Sequence, residues 1–229
     1  MTMSSLPDPA GTPAKKSRGA LLPAKVKPAV ITVASFGLLI TLVQVVNSLM
    51  SNRLSTDFGL VSRSLHGLIG VITAPLLHVS WAHLLSNLVP LLIFGFLIML
   101  DSVRQFVAVT ILVWLIAGLG VWVVGPANTV TVGASGLVFG WLAYLVTRGV
   151  FTRNFGQIAI GLVLLVIWGG VFWTGIVKVA VADISGVVTI SWQGHLFGAI
   201  GGVLAAFLVA KADGPHKPKE ATPALSQGF

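Results

Sequence analysis

The chain has no cysteine, a single glutamate and little charge of either sign. Its 14 Lys and Arg and 6 Asp and Glu make up 9% of 229 residues, where an ordinary soluble domain carries about a quarter. Each shortage excludes something. Without cysteine there is no disulfide scaffold and no thiolate zinc site. The one glutamate, Glu220, lies near the C-terminus with no histidine motif around it, so an H-E-x-x-H zinc protease is excluded. So few charges cannot cover the surface of a soluble globule, and 55% hydrophobic residues is far from the composition of a disordered chain. The 26 glycines form neither a G-x-x-x-x-G-K-[ST] loop nor a G-x-G-x-x-G turn, so a soluble nucleotide-binding fold has no support. The solvent left for such a chain is lipid.

What charge there is clusters at the ends. Residues 1–27 and 211–229 are basic, rich in Pro, Ala, Ser and Lys, and are expected to be disordered tails. Between them, charges punctuate apolar runs long enough to cross a bilayer as helices. Six spans are expected, near 28–50, 83–100, 106–124, 133–147, 155–177 and 193–210, the fourth short. The expected fold is all-α, a polytopic six-helix membrane domain over 28–210. The apolar stretch from Pro28 to Met50 exceeds a signal-peptide core, so the first span is read as retained. With the N-terminus inside, eleven of the fourteen Lys and Arg face the cytoplasm, leaving Arg53, Arg63 and Lys178 outside. Both tails are then cytoplasmic and the protein is expected in the cell membrane. Basic tails beside a span set topology and touch anionic lipid; no recognition motif accompanies them, so nucleic acid is not an expected partner.

Polar groups at membrane depth are costly and mark function. Three clusters stand out: His78 to Asn87, with His83 between them; Gly133-Ala134-Ser135-Gly136; and Gly194-His195 followed by Gly198. Each opens a helix that runs from outside to inside. At 1.5 Å per residue from the charge ending each helix (Asp101, Arg148, Lys211), Asn87 lies about 21 Å above the inner boundary, Ser135 about 20 Å, His195 about 24 Å and His83 about 27 Å. A serine, an asparagine and two histidines thus share one layer below the outer surface.

That layer suits nucleophilic catalysis. A serine hydroxyl needs a base within hydrogen-bond reach, and a neutral histidine supplies one. Ser135 opens a helix, whose free N–H groups favour an oxyanion. His83 and Asn87, four apart on one face, add side-chain donors. Gly136 with Gly140, and Gly198 with Gly202, are small-xxx-small pairs that let two helices approach closely.

At these residues the chain resembles the rhomboid family of intramembrane serine proteases, in its basic six-helix bacterial form. The family's G-x-S-G motif matches Gly133–Gly136, its H-x-x-x-x-H-x-x-x-N motif matches His78, His83 and Asn87, and its late H-x-x-G-x-x-x-G matches His195, Gly198 and Gly202. The resemblance implies Ser135 as nucleophile and His195 as general base, without an acid. It also implies an oxyanion hole from His83, Asn87 and the Ser135 backbone, with Gly133, Gly136, Phe139, Gly198, Gly202 and His78 in support. Substrates would be transmembrane segments with small side chains and helix-weakening residues at the cut. Three departures stand out: Gly194 where the family often has Ala, Phe139 where some members carry Tyr against the histidine, and no Trp-Arg pair in the loop after the first span. No cofactor or metal is expected. An inactive rhomboid-like scaffold that binds membrane proteins is the alternative reading, although Ser135 and His195 are intact; a transporter lacks intramembrane carboxylates. The segment Lys178–Gln193 is read as a mobile lid, and Phe172, Trp173 and Trp192 as an interfacial aromatic belt.

Overall fold

The computed structural model describes residues 25–184 and 191–213; the two tails lie largely outside them. Helix α1 (Val26–Leu49) buries a single stripe, Ala29, Val33, Gly37, Ile40, Gln44 and Asn47, spaced three and four apart as one helix face requires. That stripe packs on α4 (Trp81–Met99), where Gly37 lets Leu88 and Leu92 close in. Between them the chain folds back through α2 (Arg53–Phe58), strand β1 (Leu60–Val61), α3 (Gly70–Thr73) and flanking 3₁₀ turns. After α5 (Val103–Val124), strand β2 (Val130–Thr131) pairs antiparallel with β1, Leu60 opposite Thr131 and Val61 opposite Val130. Helices α6 (Ser135–Thr152) and α7 (Phe155–Phe172) follow; α7 continues through a π-helical turn, Trp173–Lys178, into α8 (Val179–Ile184). Helix α9 (Trp192–Asp213) closes the bundle. Ser80, Ser102 and Asn154 cap α4, α5 and α7 by accepting a backbone N–H three residues on, which fixes where each long helix begins.

The fold is an all-α, polytopic, rhomboid-like membrane bundle, with six long helices among the described residues. Five have the length and composition to cross a membrane. The sixth, α6, is the axis: it touches α4, α5, α7 and α9, and eleven of its 18 residues are buried. The described residues also include three short helices that the span count did not anticipate. Small residues set the tightest contact. A Cβ on Gly198 would lie 2.1 Å from the Gly136 carbonyl oxygen, and one on Gly202 2.0 Å from that of Gly140. Any larger residue there would force α6 and α9 apart.

Two sequence expectations need correction. The fourth span does not stop at residue 147; α6 runs to Thr152 and ends where Arg153 adopts a left-handed conformation (φ 53°). Arg148 is therefore a buried residue inside the helix, not the charge that ends it, and it ion-pairs with Asp101 just beyond α4. Helix polarity alone misled here, because a paired arginine can stay helical and buried. The pairing still places Asp101 and Arg148 at one height, so Asn87 and Ser135, 14 and 13 residues before them, remain level. The fifth span is also longer than expected. Lys178–Ile184 continues the helix as the last residue of the π turn and then α8, so the start of the supposed lid is ordered helix; Gly186 lies outside the described residues.

Candidate active site

Three local devices bring the polar residues together. Gly133 (φ +121°) turns the chain from β2 into α6, and a Cβ there would lie 2.7 Å from the His83 ring. Its N–H donates to the Ala74 carbonyl at 2.9 Å, tying the turn to the loop before α4. Ser135 then becomes the first residue of α6, with no side chain capping the helix start. The first turn of a helix carries backbone N–H groups with no partner inside the helix, which suits an anion.

The close α6–α9 contact sets Ser135 against His195. Ser135 Oγ and His195 Nε2 are 2.9 Å apart, and the other ring nitrogen, Nδ1, lies 2.7 Å from the carbonyl oxygen of Gly175. His195 is buried, and Phe139 lies flat on its ring, with centroids 4.1 Å apart and planes within 3°. Phe172 meets Phe139 edge-on at 5.5 Å. Phe172 therefore braces the ring stack instead of standing in an aromatic belt, while Trp173 is exposed.

His83, Asn87, Gly133, Ser135, Gly136, Phe139 and His195 all line one cavity of about 930 Å³. His83 is half-buried and its Nδ1 has no partner among the described residues; the Asn87 amide donates one hydrogen to the His83 carbonyl at 3.0 Å and carries a second. His78 is not in the cavity. It is wholly buried behind it, edge-on to His83 at 5.0 Å, with its Nε2 3.4 Å from the Ala134 N–H. His78 lies outside the membrane-spanning helices, and burial, reinforced by His83, pushes its pKa down to about 3, so it is neutral. Its carbonyl accepts from Asn47 at 2.9 Å and Ser55 at 3.2 Å. Gly198 and Gly202 line the α6–α9 contact, not the cavity. Among the described residues no group of three His, Cys, Asp or Glu is placed to hold a metal ion.

The family comparison decides the wider kinship. Residues 65–212 match the Rhomboid domain family model. The chain belongs to the rhomboid family. It is 43% identical over 184 residues to an uncharacterized protein of Mycobacterium tuberculosis (Rv1337), covering 78% of this chain and 74% of that one. It is 40% identical over 185 residues to an uncharacterized protein of Mycobacterium leprae (ML1171), covering 79% and 71%. Rhomboids are a family of intramembrane serine proteases acting within the bilayer, and this rhomboid is accordingly a multi-pass membrane protein.

Sequence reasoning missed several residues around the site. Asn47, a buried amide in the first span, supports the His78 loop, while Gln44, buried one turn earlier, donates to Ser48 in its own helix; a polar residue inside an apolar run is the available signal. Gly175 contributes only a carbonyl, which no side-chain pattern can reveal. Phe94 and Trp168, 5.3 Å apart and edge-on, bridge α4 and α7 beside the cavity and read as ordinary span aromatics.

Proposed function

We propose that this rhomboid is an active serine endopeptidase that cuts transmembrane segments. The reading is carried by the 2.9 Å contact between Ser135 and His195 inside a cavity that reaches α4 and α7. His195 Nε2 takes the Ser135 proton as Oγ attacks the substrate carbonyl, then gives it to the departing amine as the C–N bond breaks. Water hydrolyses the acyl-enzyme by the same base. The Ser135 N–H, the free hydrogen of the Asn87 amide and the His83 ring stabilise the oxyanion. The substrate unwinds locally to enter, because a peptide bond in a helix is shielded by its own hydrogen bonds. Leu85, Val89 and Pro90 on α4 and Trp168 and Val171 on α7 line that entry.

In this reading the membrane domain spans 28–210, both basic tails (1–27 and 211–229) are cytoplasmic, the cell membrane holds the protein, and cleavage occurs near the outer leaflet without cofactor or metal. The test is a single-pass model substrate in liposomes together with a fluorophosphonate probe. Wild-type protein should cleave and label; Ser135→Ala and His195→Ala should do neither while melting as the wild type does. Ser135→Ala cleavage at the wild-type rate would sink the proposal, and a binding scaffold would keep substrate affinity with no Ser135-dependent labelling.

A further inference from the structure

Among the described residues no carboxylate is hydrogen-bonded to His195, yet its Nδ1 is not idle. It lies 2.7 Å from the Gly175 carbonyl oxygen. A carbonyl can only accept, so Nδ1 carries the hydrogen and donates it. In a neutral ring Nε2 is then bare, and Nε2 is the atom facing Ser135 Oγ at 2.9 Å. The contact therefore selects the one tautomer in which His195 can act as a base toward Ser135.

Two features show that this carbonyl is presented for the purpose. Gly175 sits in the π-helical turn Trp173–Lys178. In an α-helix its carbonyl would accept the Val179 N–H, but here that N–H donates to Ile176 O instead. The Val179 N–H that an α-helix would aim at this oxygen is thus directed elsewhere. The residue is also held to glycine by its neighbours: a Cβ at 175 would lie 2.5 Å from Phe139 Cζ and 3.2 Å from His195 Nδ1. By contrast, a Cβ on Gly170, five residues earlier, would touch nothing within 4 Å.

We infer that the π turn of the α7–α8 helix is the third member of the catalytic arrangement, with Gly175 as a positioning residue whose carbonyl locks the tautomer and aim of His195. The inference rests on the protease reading. It has a structural consequence: the group that readies the base belongs to the helix flanking the substrate entry, not to the α6–α9 core. Base competence is therefore tied to the seating of the α7–α8 helix.

The test uses full-length protein in micelles, ¹⁵N-labelled at histidine, with His195 assigned by comparison with His195→Ala. Wild-type His195 should be in the Nδ1–H form at a pH where the ring is neutral. Gly175→Ala should yield a mixture of tautomers and slow probe labelling of Ser135 about 10- to 100-fold. Gly170→Ala should change neither. Deleting one residue of the turn, Val177, should return the following chain to α-helical register, give the Gly175 carbonyl an α-helical donor and reproduce both effects without new bulk. An Nε2–H form in the wild type overturns the inference, whatever the variants do. So does wild-type labelling by Gly175→Ala or by the Val177 deletion. If the wild type shows the Nδ1–H form but no Ser135-dependent labelling, the protease reading fails while the tautomer lock stands.

Discussion

Helices α6 and α7 have the same length and are both apolar, but the bundle treats them differently. Eleven of 18 residues are buried in α6 and only two, Gly161 and Leu164, in α7. Ser135, the proposed nucleophile, opens the caged helix, and His195 lies on α9, locked to α6 by glycines whose carbonyl contacts admit no side chain. Helix α7 is held firmly only at its beginning. There Gly149 and Gly161 bring it against α6, and the Thr152 hydroxyl meets Gln157 at 2.7 Å. Its far half reaches the site through side-chain rings and one carbonyl, from Trp168, Phe172 and Gly175. In the proposed mechanism the reacting atoms thus sit on rigid elements, while entry and tautomer control sit on the lightly attached one. Enzymes often divide labour this way, because access needs motion and chemistry needs fixed distances.

The largest break in this contrast should come from the caged side. Ser135→Ala is expected to reduce cleavage and probe labelling to background with no loss of thermal stability, as read by a melting scan in detergent. Next, Gly202→Leu should wedge α6 from α9, costing roughly 2–4 kcal/mol and abolishing labelling, whereas Gly170→Leu on α7 should leave both unchanged. Equal effects at the two glycines, measured by denaturant titration, would erase the distinction between the helices.

A smaller effect tests the far end of α6. Asp101→Ala removes the ion-pair partner of the buried Arg148 guanidinium, leaving it the charge of Asp213, and should destabilise the protein by about 1–3 kcal/mol. Adding Arg148→Met should recover part of that loss, which a double-mutant cycle would read directly. The smallest effect is expected on α7. Trp168→Ala removes one edge-on aromatic contact, about 0.5–1.5 kcal/mol, and should widen the α4–α7 entry. Cleavage of a transmembrane substrate should then rise a few-fold, with labelling by the small probe unchanged. A rise in both would place the effect on the chemistry instead.

Much of this was legible beforehand because it follows from local composition. Apolar runs between sparse charges locate four of the six long helices closely, and the spacing of Gly136, Gly140, Gly198 and Gly202 foretells a close contact, which the backbones of α6 and α9 make. The errors were equally physical. An isolated arginine is expensive in lipid, so the sequence marks Arg148 as a helix end, and only the fold supplies Asp101 to pair with it. Phe172 was read as interfacial because a sequence carries no direction for a ring, and only the fold turns it onto Phe139.

By itself, then, the sequence determined the solvent of this protein, the number of its long helices and the residue types able to carry hydrolysis. Those depend on transfer free energies and on spacing along one helix, both of which are properties of short segments. The tertiary structure alone decided which ring nitrogen of His195 faces Ser135, which backbone oxygen meets the other, and that α7 is held at only one end. Those depend on where carbonyls and ring planes from distant segments meet. A carbonyl is common to every residue, so its use at Gly175 leaves no mark in the sequence beyond a glycine.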